Sequence, residues 1–355
     1  MTEIGTLTLL KIFIPAALTF AVGIFITPLL MHYFVKYQMW KKVSRKSDDK
    51  SVAFKQIHNE AGELSTPRVG GIVIWLSVFL VIILFALVSW IFPTSLAEKL
   101  NFLSRNQTFI PLFALIAAAL IGLSDDLLQI FGKGNYANDH SKYRKIKAGT
   151  IILIGLFIGW WFVFKLGVTA VHIPFYGSLD FGIFYILFFI MVMLATFSAS
   201  VIDGIDGLSA GVLAPIFMGY AAIAFLNHQN DLAAFTSAVS GGTLAFLWFN
   251  IPPARFYMGE TGMLALTVVL SVLAFMTDTV FILPIIALPL VATSFSVIVQ
   301  LLSKKFRGGK KVFLVAPLHH HFEALGWSKY KVVMRYWVIA MVSVVVGVIL
   351  ALLSK

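Results

Sequence analysis

Ten apolar stretches, nearly all long enough to cross a lipid bilayer as a helix, leave this chain few folds to choose from. A spanning helix needs about 20 predominantly apolar residues. Such stretches occupy 9–34, 69–92, 108–124, 149–168, 181–200, 208–226, 232–249, 261–275, 279–303 and 332–353. Inside lipid the backbone must satisfy its own hydrogen bonds, and at this hydropathy only helices do so. Of the 355 residues 59% are hydrophobic and 12% charged, against about 25% charged in soluble domains. A mean hydropathy of +0.92, with 33 Phe and 8 Trp, excludes a soluble enzyme, a disordered chain and a nucleic-acid-binding domain. Cysteine is absent, which excludes a disulfide framework and thiolate chemistry. The expected fold is an all-α polytopic membrane protein, one membrane-embedded domain over 1–355, with no repeat period. The first stretch is too long, and too polar at its end, for a cleaved signal peptide.

The basic residues give these spans an orientation. Of 27 Lys and Arg, segment 35–68 holds eight, 125–148 five, 250–260 one and 304–335 eight. These four segments alternate with loops that hold few cations, so they share one face. By the positive-inside rule that face is cytoplasmic, and both termini lie outside. The distribution of the +11 net charge therefore says more than its sum.

The same face receives most of the informative carboxylates among only 16 Asp and Glu. Asp125 and Asp126 close the third span. Asp203 and Asp206 fall in Val201-Ile-Asp-Gly-Ile-Asp-Gly-Leu208, and Glu260 falls in Met258-Gly-Glu-Thr-Gly262. Adjacent acids beside a low-dielectric slab repel, and one would ordinarily protonate. A Mg²⁺ ion removes that penalty, because it takes hard oxygen ligands and is commonly shared between carboxylates and substrate phosphates. One isolated Asp-Gly step reads most simply as a helix cap. Five border acids with interleaved glycines read better as a functional site.

Basic and imidazole groups join them. The run Lys142-Tyr-Arg-Lys-Ile-Lys147 reads either as an ordinary juxtamembrane cluster or as a source of one Lys that holds a phosphate oxygen. Ser65-Thr66-Pro67-Arg68-Val69-Gly70-Gly71 reads as a solvated loop end or as a tight entry to the second span that lines a phosphate site. His319, His320 and His321 are consecutive, so they cannot easily all face one zinc ion; an imidazole cluster near a diphosphate fits better. Together these features suit Mg²⁺-assisted phosphoryl transfer between a soluble phosphorylated donor and a lipid acceptor. An ion-coupled transporter also uses membrane acids, but typically near the bilayer midplane and in repeated halves.

Three stretches carry a family resemblance. They are Val312-Phe-Leu-Val-Ala-Pro-Leu-His-His-His-Phe-Glu-Ala-Leu-Gly-Trp327, Lys331-Val-Val-Met-Arg-Tyr-Trp337, and Leu247-Trp-Phe-Asn250 with Met258-Gly259. With these the chain resembles the polyprenyl-phosphate N-acetylhexosamine-1-phosphate transferase superfamily over nearly its whole length. Within it the resemblance is strongest to the phospho-N-acetylmuramoyl-pentapeptide-transferase family. The resemblance implies a Mg²⁺-dependent enzyme of the bacterial inner (plasma) membrane with its active site on the cytoplasmic face. The implied donor is UDP-N-acetylmuramoyl-pentapeptide and the acceptor undecaprenyl phosphate; the products are lipid I and UMP, in peptidoglycan biosynthesis. A related UDP-N-acetylhexosamine:polyprenyl-phosphate transferase is the neighbouring alternative, and a homodimer is left open. Asp125 and Asp126 match the family's paired Asp, one of them a base for the lipid phosphate or, alternatively, a nucleophile. Lys145 matches its phosphate-side Lys, and Asp203 and Asp206 match the Asp-Gly-x-Asp-Gly motif. Asn250 and Tyr257 fall where the uridine end binds. Glu260 falls at a metal-ligand position and joins Asp203 and Asp206 as the metal set. His320 is implied as catalytic, with His319 and His321 binding substrate. The chain departs from the family at Glu260 (usually Asp), Ser200 (usually Asn), Arg68 (usually Thr) and Thr293 (commonly acidic).

Overall fold

The computed structural model describes residues 3–42, 64–132 and 140–354, with the side chains of 3, 4 and 140–145 left outside that description. Long apolar runs become long helices: α1 (Glu3–Lys36), α2 (Ile72–Ile91), the short α3 (Ser95–Leu100), α4 (Phe109–Phe131) and α5 (His140–Lys165). After a two-stranded hairpin come α6 (Tyr185–Ser198), α7 (Leu208–Leu226), α8 (Asn230–Asn250) and α9 (Gly259–Met276). The chain closes with α10 (Leu283–Ile286), α11 (Leu288–Phe306), α12 (Leu318–Ala324) and α13 (Lys329–Leu353). Nine helices among the described residues are long and apolar enough to cross a membrane. The all-α expectation holds apart from the antiparallel hairpin β1 (Ala170–Ile173) and β2 (Gly177–Asp180), which pairs Ala170 with Asp180.

The expected span 279–303 differs in form. It is divided into α10 and α11, and α11 is not among the nine spanning helices; one of its faces carries Thr293, Ser294, Ser296, Gln300 and Ser303, all buried. Those polar groups hold the segment that follows. Gln300 Oε1 accepts from the amides of Val312 and Phe313, and its Nε2 donates to the Phe313 carbonyl. Ser296 Oγ accepts from the Leu318 amide, and Ser303 Oγ donates to the Lys310 carbonyl. A helix whose polar stripe binds a loop loses hydropathy as a direct consequence.

Helices α7, α8 and α9 form the interior, and their residues are buried on nearly every face. Against the others, large apolar side chains such as Phe25, Trp90 and Leu153 stand outward. That pattern suits a chain whose surroundings are lipid rather than water. Lipid gives helices little hydrophobic reason to associate, so close packing over small residues matters more. Gly241 of α8 lies against the Ala16 backbone of α1, and Gly122 of α4 lies against Glu260 and Thr261 of α9. A Cβ at Gly122 would collide with the Glu260 carbonyl. That approach sets the ends of α4 and α9 side by side, and the acids ride on those ends.

Candidate active site

The C-terminal end of α4 and the N-terminal end of α9 bring three carboxylates together. Asp125 and Asp126 are consecutive, so they point to different sides of α4. Asp125 faces α5: Lys147 Nζ lies 2.8 Å from Asp125 Oδ2 and 2.8 Å from Glu260 Oε1. Gln129 Nε2 donates to the same Asp125 oxygen at 3.0 Å. One ammonium thus offsets two carboxylates, and all three side chains are largely buried.

Asp126 faces α9 and is fully buried. Its Oδ2 accepts from the Thr261 amide at 2.9 Å, which satisfies a donor of the α9 N-terminus from a different helix. Its Oδ1 lies 3.9 Å from Arg68 Nε, and neither atom makes a hydrogen bond. Arg68 is held in place by its chain neighbours. The Tyr257 amide donates to the Pro67 carbonyl, and the Gly70 and Gly71 amides donate to the carbonyls of Tyr257 and Met258. Gly259 has φ +67°, and a Cβ there would strike the Arg68 carbonyl and Asp126, so the turn into α9 requires glycine.

Asp203 and Asp206 lie in the turn before α7. Ser209 Oγ donates to Asp203 Oδ1 at 2.7 Å. Burial raises the Asp203 pKa to about 6, against the lowering effect of Ser209 and the nearby Arg68 charge. Burial also raises Asp206, while the Ala254 amide that donates to its Oδ2 works the other way. Asn250 ties this turn to the next one. Its Oδ1 accepts from the Gly207 amide and its Nδ2 donates to the Phe256 carbonyl, so both ends of the buried amide are engaged by backbone. Tyr257 is half-buried beside it, in the strand-like stretch that meets Pro67 and Gly70.

The three histidines on α12 have three different surroundings. His319 is fully buried with no hydrogen-bond partner on either ring nitrogen, and burial holds its pKa well below the usual histidine range. His320 Nδ1 is 2.6 Å from Glu323 Oε2. His321 Nδ1 accepts from the Leu314 amide at 3.2 Å. The Gly204 α-carbon lies against the Nε2 edges of His319 and His320, which brings α12 onto the Asp203–Asp206 turn.

The structure thus collects Asp125, Asp126, Glu260, Asp203, Asp206, His319 and His320 at one end of the bundle. The side chain of Lys145 lies outside the described residues; Lys147 is the cation seen on the acids. The basic run carries no signal to choose between the two. Arg68 and Glu323 belong to quoted motifs, but no spacing rule links Arg68 to Asp126 across the chain. Glu323 stands three residues after His320, a helical spacing that could have flagged it.

Hard carboxylate oxygens are the donor set that Mg²⁺ takes. Glu260 Oε2 is buried and makes no hydrogen bond. Among the described residues no group of three or more His, Asp or Glu forms a ready ion cage. Both observations fit a cation held by one or two carboxylates and completed by substrate phosphates.

The sequence model of glycosyl transferase family 4 matches residues 108–278, from the start of α4 to the end of α9. The phospho-N-acetylmuramoyl-pentapeptide-transferase of Anoxybacillus flavithermus is 32% identical over 335 residues, covering 94% of this chain and 95% of that protein. The transferases of the same name from Heliobacterium modesticaldum (32% identical, 94% and 95% covered) and Latilactobacillus sakei (33%, 90% and 93%) align as fully. The chain belongs to the phospho-N-acetylmuramoyl-pentapeptide-transferase family. Membership extends beyond the matched 108–278 segment, since the relatives cover the α11–α13 region and its histidines as well.

Proposed function

We propose that this multi-pass membrane protein transfers phospho-N-acetylmuramoyl-pentapeptide from its UDP donor to undecaprenyl phosphate, giving lipid I and UMP. The observation that carries this reading is family membership along nearly the whole chain, joined to a buried acid cluster at one end of the bundle. Of the expected set Asp203, Asp206 and Glu260, one or two would hold Mg²⁺, with the substrate phosphates completing its shell: Glu260 through its open Oε2, and Asp203 through the oxygen that Ser209 leaves open. When bound, the ion neutralises charge on the transferring diphosphate and favours UMP as leaving group.

The protein's own groups divide the remaining work. Asp126 is sealed behind Thr261 and Arg68, so it shapes the start of α9. Asp125 is assigned the proton of the acceptor phosphate, with Lys147 orienting it. Arg68, with a buried Nε that makes no hydrogen bond, is a guanidinium suited to a phosphate oxygen. The positive-inside rule supports reading this end of the bundle as facing the cytoplasm from the bacterial inner membrane, with both termini outside.

The test is incubation of purified protein with undecaprenyl phosphate and each UDP-sugar in Mg²⁺, scoring UMP release. UMP from UDP-N-acetylmuramoyl-pentapeptide supports the reading. Preference for UDP-N-acetylglucosamine moves the protein to a neighbouring activity, and ion-coupled uptake into liposomes without UMP release overturns the enzyme reading.

A further inference from the structure

Glu323 takes no part in the chemistry assigned above, yet its side chain is only 5% exposed. A buried carboxylate ordinarily has a partner that repays its desolvation. Here the partner is the imidazole one helical turn earlier: Glu323 Oε2 is 2.6 Å from His320 Nδ1. The other ring nitrogen of His320 meets backbone. An ideal Cβ built on Gly204 falls 3.0 Å from His320 Nε2, so this edge of the ring lies on the turn between Asp203 and Asp206. The neighbours on α12 lack this arrangement. His319 has no partner on either nitrogen, and His321 uses Nδ1 to receive the Leu314 amide.

We propose that Glu323 is a positioning residue that holds His320 as its Nδ1–H tautomer and presents a bare Nε2 to the Asp203–Asp206 turn. A carboxylate on one ring nitrogen fixes which nitrogen carries the proton, and the other is left as an acceptor. In that neutral tautomer His320 accepts an O–H or N–H donor of the nucleotide or sugar at Nε2. Gly204 is part of the device, because any side chain there would displace the ring edges. The proposal rests on the transferase reading for its substrates but not for its geometry.

Two measurements test it. The first is the ring tautomer, read from nitrogen-15 shifts of histidine-labelled protein, with His320→Gln used to assign the signal. The Nδ1–H form is expected in the parent protein and its loss in Glu323→Leu. Glu323→Gln keeps an amide oxygen that can accept from Nδ1–H, so it should retain more of that form than Leu does. The second is initial-rate kinetics of UMP release. Glu323→Leu should lower kcat about 10- to 100-fold with little change in KM. Adding Glu323→Leu to His320→Gln should then cost nothing more, since residues that act as one unit are not additive. An Nε2–H tautomer or a doubly protonated ring in the parent protein overturns the proposal, as do additive losses in the double variant. A complete absence of UMP release from every UDP-sugar removes the transferase reading, and the tautomer measurement then decides the positioning claim by itself.

Discussion

Asp126 caps a helix 135 residues away in sequence: its Oδ2 accepts the Thr261 amide at 2.9 Å, at the N-terminal turn of the helix that also carries Glu260. The adjacent Asp125 instead shares Lys147 with Glu260. Two consecutive acids therefore do different jobs, and isosteric amides separate them. Asp125→Asn removes the group assigned to the proton and is expected to lower turnover at least about a hundredfold. Asp126→Asn keeps an oxygen for Thr261, so it should fold and lose less activity. Asp126→Ala loses the cap and should lower stability by about 1–2 kcal/mol. Turnover and thermal unfolding of the three variants check the order; equal losses for both Asn variants would contradict the division.

Much of this arrangement was legible from residue order. Apolar length and the one-sided distribution of Lys and Arg mark the spans and the end of the bundle that gathers Asp125, Asp203 and Glu260. Pairing was less legible. Lys147 meets Asp125 and Glu260 through contacts between α4, α5 and α9, and such contacts leave no spacing signature. Asn250 carries a second role that its motif does not show: its amide ties Gly207 to Phe256. The divided ninth stretch reads as one span by composition, because hydropathy counts polar residues without seeing that Gln300 and Ser296 hold a loop.

Gln300 makes three hydrogen bonds to backbone at Val312 and Phe313. Replacing it with Leu leaves two amides and a carbonyl to find other partners, at a cost of about 1–3 kcal/mol for each group that stays buried and unpaired. The segment leads directly into α12, so Gln300→Leu is expected to lower turnover about tenfold or more. Mg²⁺ dependence should stay unchanged. Limited proteolysis within 307–317 should become faster. Unaltered cleavage there would show that Gln300 does not hold the loop.

The Asp203 pKa, raised by burial to about 6, predicts a stability change with a definite sign. A carboxylate that binds its proton more tightly when folded favours the folded state at low pH. Stability falls as pH rises through the interval between the ordinary carboxylate value and about 6. Asp203→Asn keeps an oxygen for Ser209 and abolishes the titration. Without divalent cations, its Tm should exceed the parent's at pH 7.5, and the two should converge below pH 4. A parent Tm equal to the variant's at both pH values would remove the burial argument.

Lys147 and Glu260 give the sharpest contrast between ion pairing and metal binding. Lys147 occupies Glu260 Oε1, while Oε2 is buried and makes no hydrogen bond. Glu260→Gln keeps the shape and an oxygen for Lys147, but a neutral amide oxygen is a poorer ligand for a hard cation. The Mg²⁺ concentration for half-maximal activity should therefore rise at least about tenfold. Glu260→Asp should retain activity, since it keeps the charge. Lys147→Gln acts in the opposite direction on charge: it leaves Asp125 and Glu260 without their shared cation. Like charges then oppose each other in a poorly solvated site, and folding should weaken most where Mg²⁺ is absent. If Glu260 serves only to complement the N-terminal dipole of α9, Gln costs a little stability and leaves the Mg²⁺ titration where it was. Titrating Mg²⁺ against UMP release in the three variants, with unfolding followed with and without the ion, distinguishes the two roles.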